Sequence, residues 1–547
     1  MYRFPRSVVA PVILAAISSH LCAGVLNAFA AGAPQTGPAE RVAALIQEGV
    51  TEMERGAPQD AKRSFERALR IDPKNVPALT YLGILADRQG NLPEAERRFA
   101  AAVAAAPSSP EARNNLGAAL LKLEQKRRAA VEFSASLRLN PKQPGALVNL
   151  AQIHFGDGSP DELRAAQALF ERAWALAPDA EIARALVVIP LRLQDPAEAA
   201  RKFPKYFELL NGAPQSTASP RARSELGAAL LEAGLPKEAA QELQAAVDAE
   251  PDDPNQVVLL ARAYREQKDF SAAEKALRSK IARRRETAAI DAELAEVYDA
   301  SGRVEDAIPA MRRAIQLNHA SQAYRFRYAM LLIDARAPEA AVMRLEEAVK
   351  DFPASPGLWF AMGLAQYSDG KFEKAATAFS HALELDPKMA PALTYLGIIA
   401  VDEGKDAEAV SHYEKALAAD ERSSVTHYLL SEALAKLSPP DDAGAEAHLK
   451  LALMLDTGFA EARLALGKLY LRTNRLDKAA QELEEIVKMD PNLVQTYFQL
   501  SRVYTRQKRT QEAKAMANKF EELSKAQKQQ SENERRDILR RLANVRF

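Results

Sequence analysis

The octet Pro77-Ala78-Leu79-Thr80-Tyr81-Leu82-Gly83-Ile84 returns letter for letter as Pro391-Ala392-Leu393-Thr394-Tyr395-Leu396-Gly397-Ile398. The copies stand 314 residues apart, nine units of 34 plus 8. Working outward from them, units can be laid end to end from Val42. In 42–75, Gly49, Ala61, Phe65, Ala68 and Pro73 fall at positions 8, 20, 24, 27 and 32; in 356–389 the same positions hold Gly363, Ala375, Phe379, Ala382 and Pro387. A period of 34 is that of stacked helical repeats, in which each unit cannot bury its apolar face alone and so packs on its neighbours.

The residue types explain the pattern physically. Small residues at positions 8 and 20 let two antiparallel helices approach closely, and a ring or Leu at position 24 fills the space beyond them. Pro at position 32 cannot continue a helix. Gly56, Gly90, Gly234, Gly302, Gly370 and Gly404 all occupy position 15, and Asn474 takes the same slot. There a residue in the left-handed region ends one helix before the next begins. Each unit therefore reads as helix, tight turn, helix.

In this register the chain resembles a tetratricopeptide repeat protein of an exported bacterial type, over residues 42–527 and thirteen units. The resemblance implies an all-α, right-handed superhelical solenoid. It departs from the pattern at His319, which replaces the position 32 Pro, and in units 144–180 and 424–459, which carry insertions around Gly156-Asp157-Gly158 and Pro439-Pro440. Segment 181–219 fits poorly: it contains Pro190, Pro196, Pro204 and Pro214 and holds 5 of the 8 extra residues, the other 3 lying in 144–180. It reads as a degenerate repeat or joint between an amino-terminal array, 42–180, and a carboxy-terminal array, 220–527. Beyond 527, Ile538, Leu539, Leu542 and Val545 recur at helical spacing, as in a helix capping the last repeat or, alternatively, one that binds a partner.

The first residues are a different material. Arg3 and Arg6 precede an uncharged run from Val8 to Ala31 that closes on Ala28-Phe29-Ala30, the pattern of a signal peptide over 1–30 and of export, to a periplasm in a bacterium. The alternative is an uncleaved inner-membrane anchor over 8–31, the one route by which this chain would contact a membrane. Cys22 is the only cysteine, so cleavage would leave no thiol for disulfides or thiolate metal sites. Lys+Arg and Asp+Glu are both 73, so no global field draws the chain to nucleic acid or an anionic membrane.

No Gly-rich phosphate loop, H-E-x-x-H or G-x-S-x-G occurs, and no two histidines of the repeats are spaced to share a metal on one helical face. The reading is of a chain that is not an enzyme, needs no cofactor or metal, and binds proteins or peptides. The family resemblance implies that the first helix of each unit lines the inner groove through positions 2, 5, 6, 9, 12 and 13. Carried onto this sequence, those positions include Asn115 and Asn149, whose amides can donate and accept to a peptide backbone at once. They also include Phe360, Tyr367 and Tyr395, rings that would wet a peptide receptor. A third group is basic: Lys436, Lys468, Arg472, Arg502 and Arg506. Residues four apart share a helix face, so these charges are expected to line one wall, either as a solvated surface or as a site for carboxylates. The basic run Arg278, Lys280, Arg283, Arg284 and Arg285 is expected on an outer face, and without interleaved rings it does not suit nucleic acid. The function expected is that of a protein-binding scaffold in the cell envelope, with a carbohydrate-handling or glycosyltransferase-associated role as the alternative.

Overall fold

A computed structural model describes residues 37–212, 219–282 and 286–526; the expected signal segment and the closing helix of 528–547 lie outside them. The described residues form twenty-eight α-helices and no strand. They pair as the repeat predicts, a first helix such as Val76–Arg88 followed by a second such as Leu92–Ala105. The first of these starts where the Asn75 side chain accepts from the Ala78 N–H at 3.1 Å, satisfying one of the donors that a helix start leaves open. It ends at Gly90, whose φ of 74° places it in the left-handed region. Every position 15 glycine shares this conformation, as does Asn474 at 56°. Glu124, Lys268, Arg336 and Lys508 fill the same slot with φ of 60–63° although they are not glycine. The turn is thus imposed by the packing of the two helices even where the local residue disfavours it.

In the pairs that carry glycine at position 8, that glycine meets the position 24 side chain. A Cβ at Gly83 would lie 2.6 Å from Phe99 Cε1, and one at Gly363 would lie 2.4 Å from Phe379 Cε1. Where position 24 is Leu, Gly227 faces Leu243 and Gly467 faces Leu483 at comparable distances. Position 32 has a second role that the prolines do not advertise. In several units its carbonyl accepts from the side chain six residues on, at position 4 of the next unit. Arg113 Nε donates to Pro107 O at 2.9 Å, Trp359 Nε1 to Pro353 O at 2.9 Å, and Tyr497 Oη to Pro491 O at 2.8 Å. His319 keeps this function without proline, since its carbonyl takes the Arg325 Nη2 donor at 3.1 Å.

The chain divides into two compact units, Met1–Gln267 and Lys268–Phe547. In the first, segment 181–219 contains a helix pair, Ala180–Arg192 and Pro196–Gly212, with Pro190 and Pro204 inside helices. Its rings Phe203 and Tyr206 are buried against Ala183 and Val187, so the prolines do not abolish the pairing. In the second unit, one apolar core runs from Phe326 to Ala513.

Candidate binding surface

The basic residues sit on three successive first helices of the second unit, Ser424–Lys436, Ala460–Arg472 and Val494–Arg506. Lys468 and Arg502 occupy equivalent positions one repeat apart and are exposed, as is Lys436 at the end of its helix. Lys436 and Lys468 make no ion pair among the described residues. Arg502 is only lightly engaged, with Nη1 donating to Gln499 Oε1 at 3.2 Å and its guanidinium 5.8 Å from the centroid of Phe498, a ring that is itself 41% exposed.

Arg472 and Arg506 do something else. Arg472 Nη1 donates to the Ala435 carbonyl at 3.2 Å, and Arg506 Nη1 to the Leu471 carbonyl at 2.8 Å. Each reaches from the end of its own helix to the last turn of the preceding first helix. Those terminal carbonyls lack intrahelical partners and carry the negative end of the helix dipole, so a guanidinium is well placed there. In the first unit Arg192 Nη1 reaches the Phe155 carbonyl at 3.1 Å in the same way. Arg472 also pairs with Asp442. These two arginines are therefore inter-repeat staples, and the uncommitted part of the wall is Lys436, Lys468 and Arg502. Glu432, exposed on the same face as Lys436, interrupts it.

The other expected groove residues are distributed differently. Phe360, Tyr367 and Tyr395 are 0%, 9% and 2% exposed. Tyr395 stacks on Phe379 at 5.2 Å, edge-on to Tyr367 at 5.6 Å and to Phe360 at 6.0 Å. The expectation that these rings line an open receptor is corrected: they form a core cluster joining two repeats, and burial drives the Tyr395 hydroxyl far above its ordinary pKa. Alternating first-helix positions carry both packing and groove residues, which position numbers alone do not separate. Asn115 and Asn149, by contrast, are half-buried at matching positions of Pro110–Lys122 and Pro144–Asp157, with no hydrogen bond among the described residues engaging either amide. The ladder does not extend to Tyr81, which stacks on Phe65 at 5.0 Å. Lys280, expected on an outer face, is buried; Arg283, Arg284 and Arg285 lie outside the described residues.

One juxtaposition escaped the sequence. His427 and His448 come from facing helices and stack at 5.1 Å, their Nδ1 atoms 2.9 Å apart. His427 Nε2 lies 3.2 Å from the Glu421 carbonyl, which can only accept. The neutral His427 that fits these contacts donates from Nε2–H to that carbonyl and accepts at Nδ1 a hydrogen bond from His448 Nδ1–H. Burial holds both imidazoles below their ordinary pKa. Among the described residues no group of three or more His, Cys, Asp or Glu side chains could hold a metal ion. No helix there is long and apolar enough to cross a membrane.

Models described as tetratricopeptide repeat match residues 52–120 and 440–496, residues 258–322, 326–390 and 360–424, and residues 494–527. Together they span more than half of the chain. The chain is 28% identical over 180 residues to cellulose synthase 1 operon protein C of Komagataeibacter xylinus, a match covering 30% of this chain and 13% of that protein. It is 28% identical over 185 residues to the peroxisomal targeting signal receptor of Saccharomyces cerevisiae, covering 31% of this chain and 29% of the receptor. The chain thus spans less than a third of either curated relative. Among solved structures, yeast Tom70 matches 86% of this chain and 100% of its own, with 15% identity and a TM-score of 0.41.

Proposed function

This chain belongs to the tetratricopeptide repeat family, and from that premise we propose that it is a non-catalytic scaffold whose carboxy-terminal first helices bind an anionic protein or peptide partner. The observation that carries the reading is the row Lys436, Lys468 and Arg502. These exposed cations stand on three consecutive first helices, and Arg472 and Arg506 hold those helices in register through their carbonyls. Because the stapling is internal, the row is presented on rigid elements, and its three cations are not consumed by neighbouring carboxylates. A partner carboxylate gains from such a row chiefly in association rate and selectivity, with a strong dependence on ionic strength. The half-buried amides of Asn115 and Asn149 offer a second, sequence-indifferent grip for a peptide backbone in the first unit.

The location proposed is the cell envelope, with 1–30 removed on export. The charged start, apolar run and Ala28-Phe29-Ala30 support it, and the likeness to the Komagataeibacter protein, whose name refers to a cellulose synthase operon, agrees with an envelope setting. That likeness also favours the carbohydrate-handling alternative. Capture of partners from the native envelope fraction, repeated with Lys468→Glu and Arg502→Glu together, tests the scaffold reading. Salt-sensitive partners lost in the double variant support it, and a glycan array that shows saturable binding with no protein captured would replace it by the alternative.

A further inference from the structure

Two neighbouring repeats of the first unit exceed the 34-residue period, and a cavity of about 240 Å³ lies where they meet, lined by Glu171, Trp174, Ala183, Leu186, Lys202 and Lys205. Its walls are the second helices Pro160–Leu176 and Pro196–Gly212, each 17 residues long, whereas the regular second helix Leu92–Ala105 has 14. The base is the first helix Ala180–Arg192. The lengthened helices belong to the two units that carry the 3 and 5 extra residues. The volume lies below the roughly 300–1,000 Å³ of drug-sized sites, so it suits one ring or one large side chain.

The chemistry of the lining is asymmetric. Trp174 packs against the cores on either side of the irregular pair, and with Ala183 and Leu186 it supplies an apolar wall. Lys202 Nζ lies 2.9 Å from Glu171 Oε1 and 3.4 Å from Glu198 Oε1, so these groups satisfy one another across the two second helices. Lys205, one turn further along, is exposed and has no ion pair or hydrogen bond among the described residues. The one uncommitted charge is therefore positive and stands beside an aromatic surface. We propose that this cavity is a binding site for an apolar ring or chain bearing a carboxylate, the apolar body resting on Trp174 and Leu186 and the carboxylate meeting the Lys205 ammonium. The source of that chemistry is either a free small acid or the end of a peptide. The site is on the second-helix side of the first unit and is independent of the basic row, so either can fail alone.

The chain itself supplies the reporter. It has two tryptophans, and Trp359→Phe leaves Trp174 as the only indole. The full-length variant is titrated with 3-phenylpropionate and with its neutral counterpart 3-phenylpropanol. Two N-acetylated peptides ending in phenylalanine follow, one with a free carboxyl terminus and one amidated. The acids should change Trp174 emission saturably and bind up to about fivefold more tightly than the neutral partners, the modest preference an exposed ion pair supports. Lys205→Met, which keeps the aliphatic stem, should erase that preference while leaving the apolar component. A free-carboxylate peptide that binds more tightly than 3-phenylpropionate assigns the site to peptide ends, and equal affinity assigns it to small acids. Saturation-transfer NMR on the unsubstituted chain gives the same comparison without the tryptophan variant. No saturable binding by either method, or an acid preference that persists in Lys205→Met, overturns the proposal.

Discussion

Replacing Gly363 by Ala should destabilise the second unit, against what helix propensity alone predicts. The added Cβ would lie 2.4, 2.5 and 2.8 Å from Cε1, Cδ1 and Cζ of Phe379. Unstrained carbon pairs sit at about 3.5–4.0 Å, so the ring must retreat by about 1 Å. It has nowhere to go, because Phe379 is fully buried and its other neighbours include Tyr395, stacked at 5.2 Å. Overpacking of this kind costs about 1–3 kcal/mol, and the better helix propensity of Ala returns about 0.5–1 kcal/mol. A net loss of about 1–2 kcal/mol is expected. The assay is urea unfolding together with hydrogen exchange in Pro356–Ser368 and Phe372–Leu385, because a repeat array can open locally. Repeating the substitution in a Phe379→Ala background removes the obstacle, and there Gly363→Ala should become neutral or mildly stabilising. Gly370→Ala is the control: its Cβ meets nothing within 4 Å, and its cost of about 1–2 kcal/mol comes from φ of 73° and should not depend on Phe379. A neutral or stabilising Gly363→Ala in the natural background, or a loss unchanged without the ring, refutes the packing argument.

Arg336→Gly should raise stability by up to about 1 kcal/mol in urea, since Arg336 holds φ of 60° where glycine is unstrained; a loss would mean its side chain contributes more than its backbone costs. The depressed pKa values of His427 and His448 mean that the unfolded chain binds protons the folded chain refuses. Stability present above the ordinary imidazole value of about 6.5 is therefore lost as pH falls from there toward the folded values. Replacing both by Gln should flatten that slope in urea midpoints measured against pH, and an unchanged slope would shift the effect to other groups such as His412, also depressed by burial. The joint expected over 181–219 predicts a first proteolytic cut between about 205 and 220, near Asn211-Gly212-Ala213-Pro214; a first cut at Gln267 and Lys268, where the compact units part, would move the boundary there.

The fold was legible because its determinants are local and periodic. Gly83 with Phe99 and Gly363 with Phe379 announce a close helix pair in any one unit, and the recurrence of that pair announces the stack. The turn at Arg336 was less legible, since nothing in an arginine signals the left-handed region. The binding surface was only half legible for a geometric reason. Phe360 and Lys468 both stand at nominal groove positions, yet one is buried by the neighbouring repeat and the other projects from its helix. Arg472 and Lys468 share a face by spacing, but the carbonyl that claims Arg472 belongs to a helix 37 residues earlier, beyond the reach of a local pattern. His427 and His448 meet across two helices for the same reason, 21 residues apart with no shared periodicity.

Binding of a fluorescent oligoglutamate peptide to the full-length chain, followed by anisotropy at rising salt, tests the basic row most directly. With Lys436, Lys468 and Arg502 as the receptor, affinity should fall as salt rises, and Lys468→Glu with Arg502→Glu should weaken it by about tenfold or more, about 1.4 kcal/mol. Both residues are exposed, so the helical circular dichroism of the double variant should match that of the natural chain. Binding that ignores salt, or that survives both reversals at full affinity, would contradict the assignment of this wall as the partner site.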